Sequence, residues 1–164
     1  MRANYIVIPL ITVAVALIGS RLTSGGMDWY QTIPKPSFTP PGSVIGAVWT
    51  IIFILATISA LMVWNSPVRK SNRTVSALFP WIVIFFLLNA FLNVFWSFLF
   101  FNQHMMYAAI WEAIALDITV IVLVLLIWPI SRLASLLLLP YAAWVAFASY
   151  LTWIVWALSI IFPW

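Results

Sequence analysis

Long apolar runs separated by short polar intervals dominate this chain. The runs occupy residues 5–22, 43–64, 77–101, 105–128 and 133–162. A helix needs roughly 20 apolar residues to cross the hydrocarbon core of a bilayer, and each run has about that length. Because every connection after the first is short, successive helices are expected to be antiparallel neighbours. The pattern predicts an all-α fold, a bundle of five transmembrane helices.

The composition agrees with a membrane location. Of the 164 residues, 66% are hydrophobic and 6% are charged, whereas soluble domains carry about 25% charged residues. We therefore expect one integral membrane domain that covers residues 1–164. The chain has no cysteine, which excludes disulfides, thiolate metal ligands and cysteine nucleophiles.

Lysine and arginine are distributed unevenly between the two sides of the predicted bundle. The side with the N-terminus carries Arg2, Arg69, Lys70, Arg73 and Arg132, and the opposite side carries Arg21 and Lys35. Because positive residues favour cytoplasmic loops, we expect the N-terminus in the cytoplasm. These few loop residues also account for the sequence pI of about 9.9, so we expect no nucleic-acid partner.

Polar residues inside the apolar runs are informative, because amide and carboxyl groups are costly in hydrocarbon. On the third helix, Asn89, Asn93 and Ser97 recur every four residues and form one polar seam. On the fourth helix, Glu112 and Asp117 are about 140° apart around the axis, so they cannot act as a paired acid and base. The seam is typical either of hydrogen bonds between helices or of polar groups that line a site.

Aromatic residues form a second pattern in the middle of the helices. Trp49 and Phe53 lie one turn apart on the second helix. On the fifth helix, Tyr141, Trp144 and Ala148 share one face. Residues in such positions either pack helix against helix or form the aromatic wall of a binding site.

Prolines shape the first connection and the last helix. Those of the first connection are Pro34, Pro36, Pro40 and Pro41. Each fixes its own φ and disfavours helix before it, so we expect a stiff, extended strap over residues 29–42. The strap would hold Trp29, Tyr30 and Phe38 over one end of the bundle as an aromatic lid. In the fifth helix, Pro140 is expected to produce a kink.

Several short motifs together resemble one known family. They are Trp29-Tyr30, Lys35-Pro36-Ser37, Pro40-Pro41, Gly46, Val48-Trp49, Asn93, Trp96-Ser97, Phe100-Phe101, Glu112, Pro140-Tyr141, Trp144 and Phe147-Ala148. In this order and spacing they resemble the tryptophan-rich sensory protein family TspO, whose mitochondrial members are called translocator protein or peripheral benzodiazepine receptor. The resemblance runs from about residue 27 to 158. It implies a five-helix bundle, often dimeric, with a ligand cavity under the first loop.

Carried over position by position, the resemblance also implies a ligand pocket. Its lining would be Tyr30, Trp49, Phe53, Asn93, Trp96, Ser97, Trp144 and Ala148. The family's ligands include porphyrins such as protoporphyrin IX and, in animals, cholesterol and benzodiazepine-type drugs. The expected function is a membrane receptor or sensor for porphyrins and similar flat, hydrophobic ligands. Lys35 or Arg21 would meet the propionate groups of the ligand.

Two other functions stay open at this point. The resemblance also implies light-dependent degradation of porphyrin, in which case Trp49 and Trp144 would be the catalytic residues. A tetrapyrrole or lipid transporter is the second alternative. We expect no metal site and no cofactor, since the only histidine, His104, lies in a turn. The expected partners are the hydrophobic ligand, membrane lipid and a second copy of the chain, in a bacterial cytoplasmic membrane.

The chain departs from the family's usual pattern at several positions. Phe38 stands where tryptophan is frequent, Gln31 where some bacterial members carry aspartate, and Glu112 where aspartate is usual. Trp153 and Ala157 stand where the animal cholesterol motif requires a tyrosine and then a basic residue. Sterol recognition through that motif is therefore not expected.

Overall fold

The computed structural model describes residues 3–161, so Arg2 and the predicted helix end at residue 162 lie outside the described range. In chain order the helices are α1 (Asn4–Gly25), α2 (Met27–Thr32), α3 (Gly42–Asn65), α4 (Pro67–Ser71), α5 (Arg73–Ser97), α6 (Met106–Ile127), α7 (Arg132–Leu136) and α8 (Leu139–Ile161). Five spans in this range are long and apolar enough to cross a membrane, and they contain α1, α3, α5, α6 and α8. The described residues contain no β-strand. The predicted all-α bundle of five transmembrane helices is confirmed.

The strap differs from the extended loop that the sequence predicts. Trp29 and Tyr30 lie in α2, and extended backbone begins only at Ile33. The prolines that oppose helix start at Pro34, while Asp28 places a negative charge in the first turn of α2, where the helix dipole favours it. The aromatic lid is therefore a short helix followed by an irregular segment.

The structure begins α5 at Arg73, whereas the hydropathy pattern predicts a start at residue 77. Asn72 lies immediately before the helix, and its side-chain oxygen accepts hydrogen bonds from the backbone N–H groups of Thr74 and Val75 at 3.0 and 3.2 Å. This N-cap satisfies two of the donors that a helix start leaves unpaired. At its other end α5 continues into a π-helical turn, Phe98–Asn102, which the sequence pattern did not indicate.

The last spanning segment is divided into two helices. The sequence predicts one helix over residues 133–162 with a kink at Pro140, whereas the structure has α7, a turn at Leu137 and Leu138, and then α8. Pro140 lies in the first turn of α8, where its missing N–H would have no helical partner in any case. The interruption therefore precedes the proline, and Pro140 begins a helix instead of bending one.

A chain of buried hydrogen bonds joins α5, α6 and α8 in the middle of the bundle. Tyr141 donates its hydroxyl hydrogen to Asn89 Oδ1 at 2.9 Å and accepts a hydrogen bond from Asn93 Nδ2 at 3.0 Å. Asn89 Nδ2 donates to Thr119 Oγ1 at 2.9 Å, and Thr119 donates to the Leu116 carbonyl at 2.6 Å. Because hydrocarbon offers these groups no water, their mutual bonding holds the three helices together.

Burial differs strongly between the spanning helices. In the apolar window of α6, 44% of the residues are buried, against 0% in the window of α1. α6 packs between α5 and α8, whereas α1 packs at the periphery against α3 and α5. Within its described length, α1 contributes one buried residue, Asn4. α1 is therefore the spanning helix whose displacement would disturb the core least.

Gly26 separates α1 from α2 where the chain lies against Phe101. A Cβ added to Gly26 would lie 2.7 Å from the Phe101 Cβ and closer still to the Phe101 carbonyl oxygen. We expect Gly26→Ala to lower the free energy of unfolding by about 1–3 kcal/mol, because backbone must shift to admit the methyl group. Denaturant unfolding in detergent measures this. Gly46→Ala is the matched control, since nothing lies within 4 Å of its Cβ; equal losses in the two variants would contradict the prediction.

Tyr141→Phe removes the hydroxyl that joins Asn89 and Asn93. Both amides then lose a partner inside the hydrocarbon, so we expect the free energy of unfolding to fall by about 1–3 kcal/mol. Tyr150→Phe makes the same chemical change on a side chain that is 53% exposed, and should leave stability unchanged. Identical unfolding midpoints for the two variants would show that the buried hydroxyl does not stabilise the bundle.

Candidate ligand site

An apolar cavity of about 380 Å³ lies between α1, α3 and α5. Its walls come from residues 3–15, 53–64 and 79–93, and Tyr141 of α8 closes its inner end. The space exists because the small side chains of Ala56, Ala60 and Ala90 face it. Its volume lies within the range of about 300–1,000 Å³ that is usual for small-molecule sites.

The cavity lies in the half of the bundle that is distant from the strap. α1 contributes its N-terminal half to the walls, whereas the strap follows the C-terminal end of α1. α3 contributes its C-terminal half, whereas the strap precedes its N-terminal end. The resemblance implied a cavity under the first loop, and the structure places this one at the opposite end.

Aromatic side chains fill the end of the bundle beneath the strap. The Trp29 ring lies edge-on to Phe100 with ring centroids 5.5 Å apart, and the Tyr30 ring lies 5.6 Å from that of Phe101. Trp96 stacks on Phe100 at 5.1 Å. Tyr30 and Trp96, which the resemblance assigns to ligand binding, therefore pack within this aromatic cluster and do not line the cavity.

The other two tryptophans assigned to the pocket, Trp49 and Trp144, make separate aromatic contacts. The rings of Trp49 and Phe53, one turn apart on α3, are in contact but tilted by 32°, with centroids 5.6 Å apart, and Trp49 lies edge-on to Tyr141 at 5.9 Å. Trp144 packs against Phe147 at 5.5 Å and against the main core. Phe53 and Tyr141 line the cavity, and Trp49 supports them from behind. Both tryptophans are half-buried.

Three further residues complete the predicted site. Asn93 is buried and lines the cavity. Ser97 is also buried, and its Oγ lies 3.8 Å from the position of a Cβ added to Gly19 of α1, so it marks a close helix contact. Ala148 is half-buried on α8 and lies outside the cavity wall. Of the predicted set, Phe53 and Asn93 are therefore the residues that line the cavity.

The cavity residues that sequence reasoning missed are mostly large apolar side chains, with a few alanines among them. Ala56 and Ala60 lie one turn apart on α3, and Ala90 faces the same space from α5. Small residues at this spacing were the available signal. The same spacing also suits close helix packing, so the pattern alone does not distinguish a void from a contact.

Lys35 is held within the strap. Its Nζ donates to the carbonyl oxygens of Tyr30 and Ile33 at 2.6 and 2.9 Å, and it lies 4.6 Å from the centroid of the Tyr30 ring. Desolvation lowers the pKa of the Lys35 ammonium group. Lys35 thus caps the C-terminal end of α2, and its hydrogen bonds are directed to the backbone and not to a ligand. Arg21, the other basic residue on this side, is exposed at the end of α1.

The acidic groups in the bundle do not form a catalytic pair. Glu112 is 7% exposed, and neither of its carboxylate oxygens has a hydrogen-bond partner within residues 3–161. Asp117 is half-buried on a different face of α6. His104 lies at the strap, where it stacks on Trp29 at 4.0 Å. The cavity walls offer apolar surface with a few amide and hydroxyl groups, a composition that is typical of small-molecule binding sites.

Comparison with known proteins places this architecture in one family. The model of the TspO/MBR family matches residues 6–157. The tryptophan-rich protein TspO of Bacillus cereus is 30% identical over 97% of this chain and 99% of its own length. The tryptophan-rich protein TspO of Archaeoglobus fulgidus is 34% identical over 92% of this chain and 93% of its own. The human translocator protein is 30% identical over 85% of this chain and 80% of its own. With five spanning helices and a family match over nearly its whole length, the chain belongs to the TspO/MBR family of integral membrane proteins.

Proposed function

We propose that the protein is a membrane receptor or sensor that binds porphyrin-like tetrapyrroles and similar flat, hydrophobic ligands inside the bundle. The observation that supports this proposal is the inner end of the cavity. There the wall contains the aromatic ring of Phe53, the amide of Asn93 and the hydroxyl of Tyr141, and the last two are hydrogen-bonded to each other. Small-molecule sites typically combine an apolar cavity with a few polar groups that orient the ligand.

The chemistry of this inner end suits a tetrapyrrole. A macrocycle presents two broad aromatic faces, and the ring of Phe53, which packs on Trp49, is suited to stacking against one of them. Its polar atoms are pyrrole nitrogens and propionate oxygens, for which the amides of Asn89 and Asn93 offer donors and acceptors. The same end therefore supplies both kinds of contact.

The peripheral position of α1 would allow the cavity to enlarge around such a ligand. A macrocycle whose volume exceeds the 380 Å³ of the cavity would fit only if one wall moved. α1 forms that wall, and Asn4 is its one buried residue within the described range. A displacement of α1 would expose little buried surface, so the cost of admitting the ligand is low.

The proposal also includes a location and a partner. Arg69, Arg73 and Arg132 lie at the same end of the bundle as the N-terminus, which favours a cytoplasmic position for that end. We place the protein in a bacterial cytoplasmic membrane with its N-terminus inside. A second copy of the chain is the expected partner, as the family resemblance implies.

Phe53→Leu should weaken binding of protoporphyrin IX by about two- to tenfold, because it removes the aromatic face at the inner end of the cavity. The shift of the Soret band during titration of the purified protein measures the affinity. Phe91→Leu is the matched control, since Phe91 is exposed on the outer surface of α5. Unchanged affinity in Phe53→Leu, or an equal loss in both variants, would exclude the proposed site.

Illumination of the porphyrin complex separates binding from degradation. A receptor is expected to return the porphyrin with its absorption spectrum unchanged after illumination. A new product spectrum would instead assign light-dependent degradation. That assignment would require the product to disappear in a Trp49→Phe, Trp144→Phe variant and to persist in a Trp111→Phe, Trp153→Phe variant, whose altered side chains are exposed.

A further inference from the structure

The outer end of the cavity reaches the membrane face that holds the start of α1. There Asn4 Nδ2 donates to Asn65 Oδ1 at 3.2 Å and ties α1 to the end of α3. Trp64 and Phe79, whose rings meet edge to face at 5.0 Å, complete this end of the wall. Amphipathic tryptophan and asparagine side chains at the end of spanning helices lie at the headgroup level of a bilayer. The cavity therefore extends from the headgroup level into the bundle.

The cavity also has a side that faces lipid. Val7 and Ile11 of α1 and Leu87 of α5 line the cavity, and each is exposed on the outside of the bundle as well. Residues that contribute to both surfaces border a gap between two helices. The gap between α1 and α5 therefore connects the cavity with the surrounding bilayer.

The depth of the cavity matches one leaflet. On α1 its wall runs from Ala3 to Val15, which is about 18 Å at 1.5 Å per residue. Half of the hydrocarbon core of a bilayer is about 15 Å thick. A lipid tail that enters from the headgroup level would reach the inner end at Asn93 and Tyr141.

Arg69 of α4 lies against the aromatic wall at the outer end of the cavity. Its guanidinium carbon lies 4.2 Å from the centroid of the Phe79 ring and 6.0 Å from that of Trp64, so two cavity-lining rings hold it in place. The acidic residues of the chain are Asp28, Glu112 and Asp117. They belong to α2 and α6, and α4 and its flanking helices α3 and α5 contain none. The guanidinium is thus a positioned cation without a carboxylate on the neighbouring helices.

One donor of this guanidinium is also unsatisfied. Arg69 Nε is buried and has no hydrogen-bond partner within the described part of the chain. An unpaired buried donor is costly, and phosphate oxygens are strong acceptors for the guanidinium group. A phosphate group at this position would supply the missing counter-charge.

We propose that the cavity holds one acyl chain of an anionic phospholipid from the adjoining leaflet, with the lipid phosphate bound by Arg69. The leaflet is the one that the sequence predicts to be cytoplasmic, where anionic lipids are concentrated. This lipid site does not depend on porphyrin binding, because it is defined by the outer end of the cavity and by Arg69. The two ligands would overlap inside the cavity and therefore compete for it.

Native mass spectrometry of the purified full chain in mild detergent tests the headgroup. Phosphatidylglycerol and phosphatidylcholine with identical acyl chains are offered separately, and inorganic phosphate forms a third arm. We expect phosphatidylglycerol to be retained about fivefold better than phosphatidylcholine, and no displacement by inorganic phosphate. Arg69→Gln should abolish this preference, whereas Arg73→Gln, a change to an exposed basic residue at the same face, should keep it.

Three outcomes of that experiment would overturn the proposal. The first is equal retention of both lipids by the unaltered protein. The second is an equal effect of Arg69→Gln and Arg73→Gln, which would indicate a general attraction of the basic face for lipid. The third is displacement by inorganic phosphate, which would indicate a site for the free anion.

The acyl chain is tested by filling the cavity. Ala60→Leu should lower retention of phosphatidylglycerol several-fold, because the larger side chain occupies the space of the lipid tail. Ala115→Leu makes the same change on the exposed face of α6 and should have no effect. Equal retention in the two variants would contradict a tail inside the cavity.

A measurement on the unaltered protein covers the case in which Ala60→Leu does not fold. Phosphatidylglycerol with a photoactivatable diazirine at the end of one acyl chain is bound and irradiated, and the labelled residues are identified by peptide mass spectrometry. We expect labels on cavity-lining residues such as Phe53 and Ala56. Labels confined to outward-facing residues such as Leu125, which is 66% exposed, would overturn the proposal.

Discussion

The hydroxyl of Tyr141 and the two asparagines that bond it are the constraint on which the rest of the bundle depends. Polar groups inside hydrocarbon must find partners on other helices, because no water is available there. Tyr141 satisfies both Asn89 and Asn93, and Asn89 continues the chain to Thr119, so α5, α6 and α8 are fixed relative to one another. This bonding joins the start of α8 to the middle of α5, and the chain turns at residues 137–138, just before α8 begins. α1 takes no part in the chain, and the cavity forms between α1 and the helices that do.

The two ends of the bundle differ in how completely their side chains fill the space between the helices. Beneath the strap, Trp29, Tyr30 and Trp96 pack against Phe100 and Phe101, so large rings occupy the available volume. At the other end, alanines of α3 and α5 face the cavity. The remaining wall is α1, in which Asn4 is the one buried residue within the described range. The strap closes one end by aromatic packing, and small side chains leave the other end open toward the bilayer.

Local patterns predicted the parts of the structure that depend on one helix at a time. The lengths of the apolar runs located all five spanning helices, and the four-residue spacing of Asn89, Asn93 and Ser97 correctly indicated a single buried face. The start of α5 could also be read from the sequence in principle, since an asparagine cap is a local signal. Predictions were less successful where two local tendencies compete. The strap was expected to be extended because of its prolines, yet the residues before Pro34 are free to form α2.

The amino-acid sequence by itself determined that this chain is a bundle of five transmembrane helices and that it belongs to its family, because hydrophobicity, helical period and motif spacing are properties of the chain taken in order. Only the tertiary structure decided which of the predicted site residues share a space. Phe53 and Asn93 line the cavity, whereas Tyr30 and Trp96 pack at the other end of the bundle. Aromatic and small residues at helical spacing suit packing and binding equally well. A helix face becomes a packing contact when the facing helix fills the space in front of it, and a cavity wall when it does not. Which of the two occurs depends on side chains far away in the sequence.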